Sequence, residues 1–306
     1  MKYAFAQWST RTQSWIMIVV LTLIWGSSFI MLKRVLEVFS PPQVFSGRMM
    51  TAALVLFPFA IREFRRIPKE KWLPLIAFAF MANLFTTLLY ATAQTRLDSA
   101  LNGMINTLTP LMTLVVGVMF YRQSVRVLQI LGLLIGVAGA GMLIFQAGEG
   151  QINGVNAFAL IAVLATLFNG FTVNIVRFNL AGLSVIQLSS ISFLIISPLA
   201  VGYALYSGFF PLALGSTEGL AAAGFLVILG AFGNALALLL LSKLIQISSP
   251  VFATLTTYLI PIVALYWGYQ DGEIISSTEI GAMALILLSV YMVDRFEKEE
   301  VEEEGP

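Results

Sequence analysis

Long apolar runs separated by short polar or charged stretches follow one another along the chain. A helix needs about 20 apolar residues, at about 1.5 Å per residue, to cross about 30 Å of hydrocarbon. Membrane β-strands would alternate apolar and polar residues in pieces of about ten, which these runs do not do. The pattern therefore predicts an all-α integral membrane protein with ten transmembrane helices. The predicted spans are residues 14–36, 42–61, 72–94, 99–120, 127–145, 154–177, 184–207, 218–246, 250–269 and 275–293.

The two halves of the chain repeat a pattern of polar and helix-distorting residues. Asn83 precedes Pro110 by 27 residues, Asn234 precedes Pro261 by 27, and both prolines fall mid-span. Each half holds five spans, and because five is odd, the second half is expected to enter the membrane from the opposite side. Inverted five-helix repeats around a central cavity are typical of secondary transporters. The alternative is a duplicated fold without a transport role.

If successive spans cross the membrane in opposite directions, most of the positive charges fall on one side of it. Thirteen Lys and Arg residues fall on one side, only Lys33, Arg34 and Arg96 fall on the other, and Arg48 lies within span 2. Since Lys and Arg concentrate in cytoplasmic loops, both termini are expected in the cytoplasm. The predicted parts are a cytoplasmic N-terminus (1–13), a first repeat (14–145), an external linker (146–153), a second repeat (154–294) and an acidic cytoplasmic tail (295–306).

Composition agrees with a bilayer protein and removes several functions. Apolar residues make up 58% of the chain and charged residues 11%, whereas soluble domains are about 25% charged. Cysteine and histidine are absent, which removes disulfides, thiol chemistry and the usual zinc and haem ligands. The sequence has no phosphate-binding loop, no clustered catalytic groups and no long basic patch. We therefore expect no enzyme, no cofactor or metal, and no nucleic-acid partner.

Several stretches resemble the EamA-type carriers of the drug/metabolite transporter superfamily. They are Trp25–Phe29, Leu108–Pro110, the glycines Gly132, Gly136, Gly139 and Gly141, and Asp271–Glu273. The resemblance covers about residues 14–294. One departure is that Tyr121-Arg122-Gln123 replaces the Gly-Glu pair expected in the first repeat, so no role is assigned to Gln123.

The resemblance implies a multi-pass protein of the cytoplasmic (inner) membrane. It would export small organic metabolites by alternating access, with amino acids, related compounds or drug-like organics as cargo. The expected partners are the small-molecule substrate and the lipid bilayer, with a monomer and a homodimer both open. The alternatives are an uncoupled facilitator or channel, or a membrane-embedded protein without transport.

Polar residues inside the predicted spans recur at helical spacing, which places them in stripes on one face of each helix. Such stripes favour a shared cavity, although hydrogen bonds between helices, worth roughly 0.6 kcal/mol each in membranes, would also explain single residues. The candidate substrate-cavity residues are Trp25, Ser28, Asn83, Thr87, Tyr90, Asn102, Asn106, Asn169, Asn234, Thr254 and Tyr258.

Three further residues are candidates for special roles. Arg48 is the ionisable residue clearly inside a span, so it either attracts an anionic group such as a carboxylate or extends outward to the headgroups. Pro110 and Pro261 each leave the carbonyl four residues earlier without its helical partner. They are expected to supply kinks at equivalent positions, used for gating or simply for packing.

The acidic residues closest to the predicted spans fall near the ends of those spans. Asp98, Asp271, Glu273 and Glu279 fall there, and none falls near the midplane. Proton-coupled pumps commonly use embedded carboxylates or histidine, which this chain lacks. The sequence therefore favours facilitation or exchange, or coupling through an acid at a span end. The glycines of span 5 and Gly281 of span 10 predict close helix packing, as scaffold or as a dimer contact.

Overall fold

The protein is helical along nearly all of its described length. The computed structural model describes residues 9–145, 151–152, 155–247 and 250–303, and each predicted apolar run is mostly helical over its described part. Eight helical segments of this part are long and apolar enough to cross a membrane, and Ser277–Val293 is a shorter apolar helical stretch. The all-helical membrane fold is therefore confirmed, whereas ten membrane crossings and the position of the termini stay predictions.

The elements of the first repeat follow in chain order. They are α1 (Thr10–Leu36), α2 (Pro41–Glu63), two 3-10 turns (Phe64–Arg66 and Lys69–Lys71), α3 (Trp72–Ala79), the π-helical segment π1 (Phe80–Phe85), α4 (Thr86–Gln94), α5 (Ser99–Asn106), α6 (Thr109–Tyr121) and α7 (Val127–Ile144). A two-residue antiparallel pair comes next, between β1 (Gln151–Ile152) and β2 (Val155–Asn156).

The elements of the second repeat follow those of the first in outline, and they differ in the short helices, in the number of π-helical segments and in the continuity of the ninth span. They are α8 (Ala157–Asn174), π2 (Ile175–Asn179), α9 (Val185–Tyr206), α10 (Phe209–Leu214), α11 (Thr217–Ile228), π3 (Leu229–Leu236), α12 (Ala237–Ile247), α13 (Pro250–Gln270) and α14 (Ser277–Glu303). α14 runs nine residues past Asp294, the predicted end of the second repeat, into the acidic segment. Glu and Lys are strong helix formers, which explains the continuation.

Equivalent helices of the two repeats begin with the same local signal. The backbone N–H of Ser40 donates to the side-chain oxygen of Gln43 at the start of α2 (3.0 Å), and that of Ser184 donates to Gln187 at the start of α9 (2.9 Å). In both cases the Gln satisfies an N–H at a helix start that would otherwise lack a partner. Gln43 and Gln187, which are 144 residues apart, therefore occupy equivalent positions in the two repeats.

The equivalent helices α2 and α9 run in opposite directions against each other. Nε2 of Gln43, at the start of α2, donates to the carbonyl of Ser207, just past the end of α9 (3.1 Å). Nε2 of Gln187, at the start of α9, donates to Glu63 at the end of α2 (3.0 Å). Two equivalent helices that pack antiparallel agree with the inverted relation that the odd span count predicts.

Glycines of α7 bring that helix against α14. A Cβ added at Gly139 would lie 2.9 Å from the carbonyl oxygen of Ala282, and one added at Gly136 would lie 2.5 Å from Oγ of Ser289. The Ser289 hydroxyl in turn donates to the carbonyl of Gly132 (2.6 Å). These three α7 glycines therefore permit a close approach within one chain, as a scaffold.

The other two predicted packing glycines have no such role in the described chain. A Cβ at Gly141 would meet no atom within 4 Å, and one at Gly281 would meet only Cε of Met142, at 3.9 Å. Close helix approach is thus a property of the inner face of α7 and not of every glycine in the run.

The two mid-span prolines distort their helices differently. Pro110 opens α6 after a turn at Thr107–Leu108, so the fourth span is two helices joined in the membrane. α13 continues through Pro261 without a break. The helix is thus interrupted near Pro110 and continuous at Pro261, and the expected kinks at both positions stay predictions.

We expect Gly139→Ala to lower stability by about 1–3 kcal/mol, because its methyl group would meet the backbone of α14. Thermal unfolding in detergent micelles measures the change. Gly141→Ala on the same helix is the matched control, and it should leave stability unchanged or slightly higher because Ala favours helix. Equal loss in both variants would contradict the packing described for α7.

Candidate functional site

Polar side chains from four spans, two in each repeat, come together inside the helical bundle. The hydroxyl of Tyr90 on α4 donates to Oδ1 of Asn106 at the end of α5 (2.7 Å). Thr86, one turn earlier on α4, donates to Oδ1 of Asn169 on α8 (3.4 Å). Tyr258 of α13 packs against the same apolar cluster as Tyr90. The structure therefore brings together candidate residues that are as many as 168 positions apart.

A second group joins the first two helices to the eighth span. Nε1 of Trp25 on α1 donates to the carbonyl of Gly233 in π3 (3.0 Å). Nη2 of Arg48 on α2 donates to Oδ1 of Asn234, the next residue of π3 (2.8 Å). The guanidinium is therefore held inside the bundle, against the alternative in which it extends to the headgroups.

The third and eighth spans are both π-helical at their polar residue. Asn83 lies in π1 and Asn234 lies in π3, at the equivalent positions that the sequence repeat indicates. A π-helical segment adds a residue to the turn and is frequently found at functional sites. Neither residue pattern nor composition signalled this feature.

The candidate residues differ in exposure. Seven candidate side chains keep part of their surface accessible although they sit mid-span, and their place beside an interior space stays a prediction. They are Trp25, Ser28, Tyr90, Asn106, Asn169, Asn234 and Tyr258. The backbone of Thr254 is helical, and its side chain lies outside the described part of the structure.

Three candidates are buried between helices. Asn102 is fully buried, and its Nδ2 donates to Gln94 (2.8 Å) and to the carbonyl of Tyr90 (3.3 Å), so it joins α5 to α4. Asn83 and Thr87 are 7% and 8% exposed. Hydrogen bonding between helices accounts for Asn102, whereas the buried Nδ2 of Asn83 has no hydrogen-bond partner among the described residues.

The carbonyl released by Pro110 is satisfied locally. The side-chain hydroxyl of Thr109 donates to the carbonyl oxygen of Asn106 (2.8 Å), which Pro110 cannot serve because it has no N–H. The side chain of the same Asn106 accepts from Tyr90. At the helix break, Asn106 therefore takes part in two polar contacts, one through its carbonyl and one through its side chain.

A network of charges ties three spans together at one end of the bundle. Nζ of Lys33 lies 2.7 Å from Asp271 and 2.8 Å from Glu273, and Arg34 also pairs with Asp271. Glu273 accepts hydrogen bonds from the N–H and hydroxyl of Ser99 (2.9 and 2.7 Å). We call these five residues the clamp, and the end of the bundle that carries it the clamp face.

The carboxylate of Glu273 in the clamp also caps a helix. Its second oxygen accepts from the N–H of Ala100 (3.0 Å), so Glu273 sits at the N-terminus of α5, where N–H groups lack helical partners. Burial alone would raise the pKa of Glu273, but the hydrogen bonds from Lys33, Ala100 and Ser99 outweigh it and hold that pKa below the ordinary value of 4.5. The sequence resemblance pointed to Asp271–Glu273 but not to its partners.

The opposite face has a neutral counterpart of the clamp carboxylate. The N–H of Glu273 donates to the carbonyl of Gly268 (2.9 Å), and the N–H of Gln123 donates in the same way to Gly117 (3.1 Å). Both glycines are required, because an added Cβ would overlap the carboxylate or the amide that folds back on it. Arg122 there adopts φ +54°, where the second repeat has Gly272 at φ +80°. The two loops therefore fold back in a similar way, but Gln123 lacks the negative charge of Glu273.

The remaining acids predicted near span ends are found there. Asp98 directly precedes α5, and burial together with the nearby Glu273 carboxylate raises its pKa. Glu279 accepts from the N–H of Ser276 (2.7 Å) at the start of α14. In the described residues no group of three or more acids could hold a metal ion.

A cleft of about 350 Å³ lies beside the clamp. It is mostly apolar, and Nε1 of Trp267 crosses it to donate to the hydroxyl of Ser27 (2.8 Å). Its lining residues are Ser27, Ile30, Met31, Arg34, Phe225, Trp267, Gln270 and Asp271.

An antiparallel pair of helical repeats with polar groups converging between them defines a membrane carrier of the two-repeat type. The EamA-like transporter family matches residues 13–145 and 156–294, so the chain belongs to this family. This confirms the resemblance, with one match in each half of the chain.

The chain is similar in sequence to two known proteins and similar in fold to a solved structure. The uncharacterized inner membrane transporter YedA of Escherichia coli is 25% identical over 284 residues, which cover 89% of this chain and 88% of YedA. A WAT1-related chloroplastic protein of Arabidopsis thaliana is 29% identical over 128 residues, 41% of this chain and 30% of that protein. A solved structure, titled only as a crystal structure of a protein, shares the fold with a TM-score of 0.63 at 16% identity, covering 94% of this chain and 98% of that one.

We expect the stabilisation contributed by Glu273 to be constant near neutral pH and to be lost in acid. The lowered pKa means that the carboxylate is ionised in the folded protein throughout pH 6–8. Its contribution is complete above the ordinary pKa of 4.5 and declines as the pH falls through the lower folded value.

The measurement is the difference in melting temperature between the native protein and Glu273→Gln in detergent. It is recorded from neutral pH down to below the ordinary pKa of 4.5. Taking the difference removes the effects of pH that are common to the two proteins. Glu37→Gln, which removes an exposed partner of Arg34, is the control and should have little effect. A difference that grows on acidification would refute the assignment.

Proposed function

We propose that this protein is a secondary transporter that exports small organic metabolites across the cytoplasmic membrane by alternating access. The observation that carries the proposal is the convergence of partly exposed, mid-span polar side chains from both repeats, beside the equivalent π-helical segments π1 and π3. Polar groups at this depth are costly unless they face protein or a water-filled space, so their accumulation marks a solute path.

The relation between the repeats supports alternating access. Equivalent helices pack antiparallel, so the two faces of the membrane are closed by equivalent elements of opposite repeats. Such an arrangement can exchange the open and closed faces by rocking one repeat against the other. The break at Pro110 provides a point where the fourth span can bend.

The proposed orientation makes the clamp face external. The sorting of Lys and Arg places both termini in the cytoplasm, which puts the end of α1 and the clamp outside. The clamp then holds the external side shut through Lys33 and Glu273. A membrane location is shown by the family and by the inner membrane relative YedA.

The proposed cargo is small and organic, with amino acids, related metabolites and drug-like organics as the classes that the family resemblance suggests. The described spans carry no carboxylate at mid-depth. We therefore propose facilitation or exchange, with the acids at the span ends as the remaining route for ion coupling. The functional unit is proposed as a monomer or a homodimer.

We expect Tyr90→Phe to reduce transport by about 2- to 10-fold, because it removes one hydrogen bond at the polar cluster. The measurement is uptake of a labelled solute panel into proteoliposomes, including counterflow against the same solute trapped inside. Tyr269→Phe is the matched control, because Tyr269 is 70% exposed. It should leave transport unchanged.

Saturable uptake with counterflow supports the carrier. Solute flux that does not saturate and shows no counterflow would identify a channel instead. Identical transport in the native protein and in Tyr90→Phe would contradict the location of the site.

A further inference from the structure

We propose that the preferred solute is a net-negative organic acid whose carboxylate binds the guanidinium of Arg48. This inference rests on the proposed function and names the substrate class of the same interior site. Four features of the described residues carry it: the depth of Arg48, its missing counter-charge, the neutrality of the equivalent site, and the aromatic wall beside it.

Arg48 is held deep in the bundle. It follows the start of α2 by seven residues, about 10 Å along the helix axis. Gly230 allows π3 to approach closely, since a Cβ there would lie 2.6 Å from the Arg48 carbonyl oxygen. This approach places Asn234 within 2.8 Å of Nη2. The side chain is therefore positioned by α2 and π3 together.

The charge of Arg48 has no protein counter-ion among the described residues. Its Nε, although buried, has no hydrogen-bond partner there. The ion pairs of the described chain join residues at helix ends, and none includes Arg48. A planar guanidinium with an unused N–H is suited to receive a carboxylate, because it can donate two parallel hydrogen bonds.

The equivalent place in the other repeat is neutral. The offset of 144 residues that aligns Gln43 with Gln187 places Ser192 opposite Arg48, and the Ser192 hydroxyl donates to its own helix at Ser189 (3.0 Å). The described acids close to the spans, Asp98 among them, lie at the ends of helices and not in the middle of a span. An ammonium group on the solute would therefore find no carboxylate, so a net charge of −1 is favoured over a zwitterion.

An aromatic wall adjoins the charge. Trp25 donates to Gly233, the residue directly before the Asn234 that holds Arg48, and its indole remains partly exposed. The apolar body of an organic acid can pack on that indole while the carboxylate meets the guanidinium. The inferred class is a monocarboxylate with an apolar or aromatic body.

The test compares three probes of similar shape: 3-phenylpropionate, its amide, and phenylalanine. Binding to the purified full-length protein in detergent is measured by the rise in melting temperature with probe concentration. We expect the carboxylate to bind at least about tenfold more tightly than the other two, the factor of one charge-assisted contact. Arg48→Gln should remove this preference, Arg48→Lys should retain part of it, and Arg62→Gln, an exposed arginine on the same helix, should retain all of it.

Several results would overturn the inference. These are equal or tighter binding of the amide or of phenylalanine, unchanged carboxylate binding in Arg48→Gln, or no carboxylate binding at millimolar concentration. Where Arg48→Gln does not fold, the comparison of the native protein with Arg48→Lys decides. Binding without uptake would refute the transport role and leave this inference standing, whereas uptake of neutral solutes without carboxylate binding would do the reverse.

Discussion

Inside a bilayer no water completes the hydrogen bonds of polar groups, and this constraint decides where the polar side chains of this protein lie. Asn102 joins α5 to α4, and Thr109 satisfies the carbonyl that Pro110 releases. Most mid-span polar groups thus find partners within the bundle. Those that keep exposed surface or an unused donor, Arg48 among them, are the groups available to a solute, and they lie where helices of both repeats meet.

The same fold closes its two faces with different chemistry. Glu273 and Gln123 fold back on equivalent glycines, but only Glu273 carries a charge that meets Lys33 and the N-terminus of α5. An ion pair whose Glu273 side chain is 2% exposed is harder to open than a neutral contact, because separation leaves charges to be hydrated. The two conformations of the proposed carrier are therefore expected to differ in free energy, with the clamp face closed at rest.

The sequence predicted the helices, the two repeats and the glycine packing of α7 because these depend on local pattern. It also placed Asn83 and Asn234 at equivalent positions. It could not predict π1 and π3, since π-helical geometry depends on packing rather than on residue type. It did not separate Asn102, which is buried between helices, from Asn106, which borders the polar cluster, because both share one helical stripe. The partners of Glu273 come from α1 and α5, far away in the chain, so only the folded structure reveals them.

The account depends most directly on an interior space that opens to one face at a time. The chain has no cysteine, so Ser28→Cys provides a single label site beside Trp25. The measurement is its modification by a membrane-impermeant maleimide added to each side of oriented proteoliposomes. We predict modification from the face opposite the clamp, and from the clamp face only after Glu273→Gln opens it. Equal modification from both faces of the native protein, or from neither, would contradict the account.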